Sequence, residues 1–228
     1  MKLEKITGSA KRRYDDACAA THGMDIIGER WALPVMRELM LGPRRFSDLR
    51  RSLPLLSANV LTQRLTGLED AGIVVKQALP APANVQVYAL TRWGQEAGPI
   101  FQALGRWAAR SPHHDPMRPF SPVSLMLSMR TMIDPAAAAG LAARLGFRIA
   151  GEDFFLTLGT DGVAIGRGLP ADPDLIVTGS THAIAGALYA GVPLDALLAA
   201  GELELAGDRT LAERYVTLFP MPDKVAVE

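Results

Sequence analysis

The stretch GPRRFSDLRRSLPLLSANVLTQRLTGLEDAGIV, from Gly42 to Val74, decides the fold of the first half of this chain. Pro54 separates two helical segments, and the Ser57 side chain can cap the second segment. Gly72 can end that segment. Apolar residues recur in it at the spacing of a buried helical stripe, namely Ala58, Leu61, Leu65 and Leu68. The pattern predicts two helices joined by a tight turn.

The other face of the second helix is polar but almost uncharged. It carries Asn59, Thr62, Gln63 and Thr66, with Arg64 beside them. A face that is merely solvated usually carries Lys and Glu instead. Amide side chains can match the edge of an adenine in the major groove, and a threonine methyl group can contact thymine. The face therefore predicts contacts with DNA bases.

Arginines and a hairpin surround this helix. Four arginines suit contacts with phosphates, which position a protein on DNA without selecting a sequence: Arg44, Arg45, Arg50 and Arg51. The segments IVVKQAL and VQVYAL are rich in β-branched residues and predict two strands joined by PAPAN, with Asn84 at the tip. Two helices and a hairpin, with Ser57 at the start of the second helix, predict a winged helix-turn-helix that binds double-stranded DNA. The alternative is a helical domain with a solvated hairpin.

The chain divides by charge. Residues 1–118 hold 17 Lys and Arg against 11 Asp and Glu, a net charge of +6, and residues 119–228 hold 7 against 13, a net charge of −6. The boundary coincides with RSPHHDPMRPFSP, whose prolines favour an extended linker. We therefore expect a DNA-binding domain at residues 1–110, a linker at 111–122 and a second domain at 123–228.

The flanking segments predict further elements. RWALPVMRELM predicts a helix with Pro34 in its first turn. Thr91 can cap one long helix, RWGQEAGPIFQALGRWAAR. In the second half, PVSLMLSMRTMI predicts a helix, and Asp134 can cap another helix, PAAAAGLAARLG. The following short apolar segments predict a meander of strands, then two helices, a strand and a last helix. The second half is therefore expected to be α+β.

Several classes of protein are disfavoured. The chain lacks a nucleophile elbow, a phosphate-binding loop and a Cys/His pair at zinc spacing, so we expect no enzyme, no metal and no cofactor. One cysteine, no apolar leader and no long apolar run predict a cytoplasmic protein without a membrane partner.

Over residues 15–110 the chain resembles the HxlR family of winged helix-turn-helix regulators. The resemblance rests on Cys18, on GERW, RELMLGPRRFSDLRR and LTQRLTGLEDAGIV in the family's order and spacing, and on VYALTRWGQEAGPIFQALGRWA. It implies a homodimer built from the terminal helices of this domain and a palindromic operator with half-sites about 34 Å apart. Pro34, where an aliphatic residue is usual, and the weakly basic PAPAN tip depart from the pattern.

Cys18 has two interpretations. Several members of the HxlR family sense oxidants or electrophiles through a cysteine near the N-terminus, and Cys18 occupies a matching place. Nearby cations at residues 11–13 favour a reactive thiolate, whereas Asp15 and Asp16 oppose it. The alternative is a small packed side chain.

The second half resembles the sterol carrier protein type 2 fold over residues 120–220. The matching order is a strand ending in TG, a helix, the segment ELELAGD and a helix. The resemblance implies a sheet and helices around an apolar tunnel for a lipid or another hydrophobic ligand. The candidate lining is Met126, Met129, Phe154, Leu156, Leu188, Tyr189 and Phe219. The same residues could equally form an ordinary core.

The sequence thus predicts a homodimeric, sequence-specific transcriptional regulator whose second domain senses a hydrophobic small molecule. One alternative is a redox-responsive regulator acting through Cys18, with a purely structural second domain. Another is a second domain that serves dimerisation or protein interaction. A lipid-binding protein that holds its basic half against a membrane is disfavoured by the uncharged Asn/Thr/Gln face.

Overall fold

The computed structural model describes residues 14–80, 84–116, 118–160 and 162–226. Two hydrophobic clusters organise them, one in each half of the chain. The elements of the first half are α1 (Ala19–Ile27), α2 (Ala32–Leu39), α3 (Phe46–Ser52), α4 (Ala58–Asp70), β1 (Val74–Ala78), β2 (Gln86–Leu90), α5 (Arg92–Glu96) and α6 (Gly98–Ala109). The elements of the second half are α7 (Pro122–Met132), β3 (Ala143–Ile149), β4 (Glu152–Gly159), β5 (Gly162–Arg167), β6 (Leu175–Gly179), α8 (Thr181–Tyr189), α9 (Leu194–Ala199), β7 (Leu203–Gly207) and α10 (Arg209–Val216).

Helix α4 begins and ends as its sequence predicts. The Ser57 side chain accepts a hydrogen bond from the Val60 backbone N–H at 3.3 Å. At the other end Gly72 has φ +72°, a left-handed conformation that glycine adopts without steric cost. The leucine stripe, Leu61, Leu65 and Leu68, is at most 2% exposed. Burial of this stripe leaves the opposite face of α4 in solvent.

The hairpin is a two-stranded antiparallel sheet that pairs Val74 with Leu90 and Ala78 with Gln86. The loop before α3 joins it, because the Arg44 N–H donates to the Tyr88 carbonyl at 2.9 Å and the Tyr88 N–H donates back at 2.8 Å. The wing is therefore fixed to the helix-turn-helix. The predicted winged helix-turn-helix is confirmed.

The helix predicted after Thr91 is broken in two. Thr91 does cap its start, since its Oγ1 accepts from the Gly94 N–H at 3.0 Å. The chain then divides into α5 and α6 at Ala97. Pro99 follows this break and cannot donate the backbone hydrogen bond that a continuous helix needs there. The proline instead occupies the first turn of α6.

The second half is α+β, as predicted, around a five-stranded sheet in the order β5-β4-β3-β6-β7. Only β3, β4 and β5 form the predicted meander. Strand β6 instead crosses back to pair in parallel with β3, and β7 pairs antiparallel with β6. Helix α7 contacts β4, β5 and α8, whereas α10 contacts β6 and β7.

The prediction of a helix after Asp134 is wrong. Residues 135–140 form turns. The Asp134 side chain accepts from the Ala136 N–H at 2.8 Å, and Gly140 has φ +73°. A run of alanines this short cannot offset the cost of helix nucleation without an apolar stripe to bury.

The two halves are in direct contact. Helix α7 packs against α2 and α6, and the Arg106 Nε donates to the Thr131 carbonyl at 2.6 Å. Lys224 Nζ donates to three backbone carbonyls at the end of α6 and just beyond it, those of Ala109, Ser111 and His114. The connection between α6 and α7 carries no helix or strand among its described residues. The division of the chain into domains at this connection stays a prediction.

No helix within the described ranges is long and apolar enough to cross a lipid bilayer.

Candidate nucleic-acid interface and interdomain pocket

The polar face of α4 is in solvent. Its four predicted base-contacting residues are all exposed: Asn59, Thr62, Gln63 and Thr66. Thr62 Oγ1 donates to the Ala58 carbonyl at 3.0 Å, so its hydroxyl proton is engaged while its oxygen can still accept. The face therefore offers amide donors and acceptors, hydroxyl oxygens and threonine methyl groups. These are the groups that distinguish base pairs in the major groove.

Three arginines accompany this face. Arg45 directly precedes α3, and Arg50 and Arg51 lie in its last turn, all three exposed. Arg51 lies 3.4 Å from an Asp48 carboxylate oxygen but keeps 72% of its side chain exposed. Exposed guanidinium groups beside such a helix are suited to contacts with phosphate oxygens.

Three further residues are predicted to contact DNA, namely Asn84, Ser57 and Arg64. Asn84 is exposed at the wing with φ +35°, a conformation that asparagine tolerates better than most residues. Ser57 is exposed, but its side-chain oxygen is occupied by the cap of α4. Arg64 is half-buried and lies 2.9 Å from a Glu29 carboxylate oxygen. Arg64 is therefore held in an ion pair and is not a free phosphate ligand.

The structure corrects the assignment of Arg44. Its side chain is 8% exposed and its guanidinium forms a bidentate pair with Glu152, with Nη2 donating to Oε1 at 3.2 Å. Arg44 Nη2 also lies 3.4 Å from the Ser52 hydroxyl. Because Glu152 begins β4 in the second half, Arg44 joins the two halves, and its guanidinium is already engaged.

Glu152 is the centre of a charged cluster. It also accepts a hydrogen bond from Arg167, whose guanidinium lies 5.2 Å from the centre of the Phe154 ring. Burial raises the pKa of Glu152, but the hydrogen bonds and charges of Arg44 and Arg167 outweigh burial and leave that pKa below its ordinary value. The carboxylate is therefore ionised at neutral pH and holds two arginines from different halves.

A second polar contact crosses the same boundary. The Glu38 carboxylate in α2 is fully buried, and its Oε1 accepts from Arg37 Nη2 at 2.9 Å and from Ser121 Oγ at 2.6 Å. The Ser121 oxygen also caps α7 by accepting from the Ser124 N–H. The start of α7 is thus tied to the helix that underlies the DNA-binding unit.

The predicted ligand tunnel is closed. Six of the seven candidate residues are at most 6% exposed and pack in the core of the second half: Met126, Met129, Phe154, Leu156, Leu188 and Phe219. A void beside Leu188 measures about 20 Å³, room on the order of one water molecule. These six side chains therefore pack as core here, and their role as a ligand lining stays a prediction. Tyr189 is the exception.

A larger pocket lies between the two halves. It has a volume of about 470 Å³ and is formed by α2, α6, α7, the connection between α6 and α7, Tyr189 and Met221. Most of its lining is apolar, including Leu33, Pro34, Phe101, Leu104, Phe120 and Leu127. A concave, mainly apolar site of this size with a few polar groups is typical of small-molecule binding. No single stretch of sequence contains this pocket.

The polar groups of the pocket are distinctive. Tyr189 Oη lies 2.7 Å from Ser128 Oγ, which itself donates to the Leu125 carbonyl at 2.8 Å, so both hydroxyls are engaged. Arg37 is paired with Glu38, and Arg118 lies 3.6 Å from an Asp115 carboxylate oxygen. The third arginine, Arg130, forms no hydrogen bond or ion pair with any described residue, and its Nε is sealed from solvent. Burial lowers the pKa of Arg130.

An apolar stripe borders this pocket on α6. Ile100, Leu104 and Trp107 follow a helical spacing and are 54%, 40% and 73% exposed. Trp93 in α5 and Met24 in α1 are also large, apolar and about half exposed. Exposed apolar patches are found at protein interfaces, membrane contacts and ligand grooves.

Cys18 is exposed immediately before α1. The backbone N–H and hydroxyl of Thr21 and the backbone N–H of Ala20 lower the pKa of its thiol. A lowered pKa and exposure both favour the reactive thiolate. Within the described part of the chain, no group of three His, Cys, Asp or Glu side chains is arranged to hold a metal ion.

Two family profiles match the chain. Residues 26–115 match the HxlR-like helix-turn-helix family. Residues 127–220 match the SCP-2 sterol transfer family. The first match spans α2 to α6, together with the end of α1, and the second spans the five-stranded sheet and its helices.

Named relatives align with the first half. The HTH-type transcriptional regulator YvaP of Bacillus subtilis is 36% identical over 86 residues, 37% of this chain and 79% of that protein. YodB of the same organism, also an HTH-type transcriptional regulator, is 35% identical over 83 residues, 36% of this chain and 74% of YodB. The solved structure of reduced YodB covers 44% of this chain and 100% of its own, with 30% identity and a TM-score of 0.40. On its match to the profile and to these regulators, the chain belongs to the HxlR-like helix-turn-helix family.

Proposed function

We propose that this protein is a sequence-specific transcriptional regulator that binds operator DNA as a homodimer. Its affinity for the operator changes when a hydrophobic small molecule occupies the pocket between its halves. The relatives YvaP and YodB bear the name of HTH-type transcriptional regulators, which supports the first part of the proposal.

The observation that carries DNA binding is the exposed, uncharged face of α4. Its leucine stripe is buried against α2, so the helix cannot rotate to hide Asn59, Thr62, Gln63 and Thr66. Exposed arginines flank this face on α3, where they can position the helix by binding phosphates.

The homodimer is supported by the stripe on α6. Exposed Ile100, Leu104 and Trp107 would be covered if the same surface of a second copy packed against them, as in a two-fold dimer. Two recognition helices related by that axis require a palindromic operator with half-sites about 34 Å apart.

Hydroxyl-radical footprinting of full-length protein on the DNA that flanks its own gene tests this function. We expect two protected half-sites one helical turn apart, at a protein concentration that leaves unrelated DNA unprotected. Equal protection of all sequences, or none at low ionic strength, would refute the proposal.

The position of the pocket supplies a mechanism for sensing. Its walls come from α2, which underlies α4, from α6, which carries the dimer stripe, and from α7 of the second half. A ligand that binds more tightly to one arrangement of these helices shifts the population toward it. The separation of the two recognition helices, and hence operator affinity, changes with that population.

Native mass spectrometry of the purified protein tests for such a ligand. A small molecule that stays bound to native protein, and is absent from a variant with a larger side chain in the pocket, supports sensing. If the mass equals that of the bare dimer and no apolar compound alters operator affinity, the second half is a structural or interaction module.

A redox-responsive regulator is a second candidate, favoured by the exposure and lowered thiol pKa of Cys18. Operator binding by the native protein and by Cys18→Ser should then differ in the presence of diamide. An identical response of the two proteins would exclude Cys18 as the sensor.

A further inference from the structure

Arg130 is an unmatched charge in an apolar pocket. It lies in the last turn of α7, and its neighbours on the same helix, Leu127 and Ser128, line the pocket with it. Its buried Nε has no hydrogen-bond partner, and no ion pair joins its guanidinium to a described carboxylate. By contrast, Arg106 on the facing helix α6 does have a protein partner, because it donates to the Thr131 carbonyl.

A half-buried guanidinium without a partner destabilises the protein that carries it. An arginine stays protonated at every physiological pH, so it cannot escape the cost of desolvation by losing its proton. An anionic group brought by a ligand would restore both the charge balance and the missing hydrogen bonds. A carboxylate matches the guanidinium geometry with two parallel hydrogen bonds.

The other two arginines of the pocket are paired. Arg37 is neutralised by Glu38, and Arg118 by Asp115, which leaves Arg130 as the lining charge without a counter-ion among the described residues. The hydroxyls of Ser128 and Tyr189 already bond each other next to it. The rest of the lining, from Leu33 on α2 to Phe101 on α6, suits an aliphatic or aromatic body.

We infer that the interdomain pocket binds an amphipathic carboxylate, with Arg130 as its counter-ion and the apolar lining around its body. This inference rests on the proposed sensing function and names the chemical class of its effector. It places the ligand outside the core of the second half, in contact with both halves. A neutral apolar compound of the same length would leave Arg130 unpaired and bind more weakly.

Isothermal titration calorimetry with decanoate and 1-decanol tests this class, with both probes kept below the concentrations at which they aggregate. Full-length native protein should bind decanoate at least about tenfold more tightly than decanol, because only decanoate supplies the charge-assisted hydrogen bonds. Arg130→Met should weaken decanoate by about tenfold and leave decanol unchanged or tighter. Arg130→Lys, which keeps the charge but not the fork of donors, should fall between native protein and Arg130→Met.

Two further variants fix the location. At Gly105 on α6 an added Cβ would lie 3.8 Å from Thr131 Cγ2, an ordinary contact, so the backbone there accepts a side chain, and Gly105→Leu would take up pocket volume. It should abolish binding of both probes. Arg144→Met, which changes an exposed arginine on β3 outside the pocket, should leave both affinities as in the native protein.

The outcomes separate the inference from the function on which it rests. Decanoate affinity that is indifferent to Arg130→Met or to Gly105→Leu overturns the inference, as does equal affinity for decanol. Fluorescence anisotropy with operator DNA on the same proteins tests the regulator itself. If native protein still binds the operator in such a case, only the inference about the ligand fails. If native protein does not bind the operator, the proposed function is refuted.

Discussion

Arg44 and Glu152 lie 108 residues apart in the chain, and their side chains form a bidentate ion pair across the boundary between the two halves. Arg44 belongs to the loop before α3, and Glu152 begins β4. The same loop pairs with the wing through Tyr88. The Glu152 carboxylate thus connects the sheet of the second half to the loop before α3, and that loop is itself paired with the wing.

Replacing Glu152 with Gln should lower the free energy of unfolding by about 3 kcal/mol, because it leaves the Arg44 guanidinium buried and unpaired. Chemical denaturation measures this change. Asp153→Asn is the matched control, since its carboxylate is about half exposed and lies 3.9 Å from Arg148. Breaking an exposed pair of this kind should cost less than about 1 kcal/mol.

The same pair gives a pH dependence. The folded protein holds the pKa of Glu152 below its unfolded value, so the stabilisation is complete above about pH 4.3 and is lost as the pH falls through the folded pKa. Native protein should therefore lose more stability than Glu152→Gln on acidification from pH 5. Parallel stability curves for the two proteins would contradict the role of this carboxylate.

Arg44 and Arg45 are adjacent but should behave differently. Arg45→Ala should weaken binding to all DNA sequences alike and reduce the salt slope of log K by about one, because it removes one phosphate contact. Arg44→Ala should instead lower stability and leave the salt slope unchanged. Anisotropy titrations at several salt concentrations, with thermal unfolding of the same samples, distinguish the two. A reduced slope for Arg44→Ala would show that it does contact phosphate.

Trp107 should be essential to the dimer. Trp107→Glu places a charge in the apolar stripe of α6 and should give a monomer in sedimentation velocity, with operator affinity reduced accordingly. Leu55→Glu changes another apolar side chain, 86% exposed in the turn before α4, and should leave the dimer intact. Dimeric Trp107→Glu at low micromolar concentration would exclude the stripe as the interface.

Met126 distinguishes a packed core from a tunnel. It is fully buried, so Met126→Ala should lower the free energy of unfolding by about 2–5 kcal/mol by leaving a cavity. Its affinity for decanoate should stay near that of native protein. A small loss of stability together with altered ligand affinity would restore the predicted tunnel lining.

Local patterns predicted most of the fold. The leucine stripe, the Ser57 and Thr91 caps and the two runs of β-branched residues each act within a few residues, so the sequence alone places α4, the start of α5 and the wing. Other features depend on distant partners. Strands β6 and β3 pair in parallel but are not joined by a turn. Their sequence patterns match those of strands in a meander, so no local signal predicts this pairing.

The candidate site was only partly predictable for the same reason. Four similar arginines occur in Arg44–Arg51, and nothing local marks Arg44 as the one that meets Glu152. The interdomain pocket combines α2, α6 and α7, so none of its walls appears as a motif. No sequence pattern singles out Arg130. It can be recognised only in the structure, where no described residue pairs with it.

The central claim is that the polar face of α4 selects bases in a DNA groove. The most direct measurement is the affinity of native protein and Gln63→Ala for the footprinted operator and for duplexes with every single base substitution. We predict that Gln63→Ala loses about 1–3 kcal/mol on the operator and ceases to discriminate at one base pair per half-site. An unchanged pattern of base preference, or an equal loss on operator and random DNA, would contradict the account.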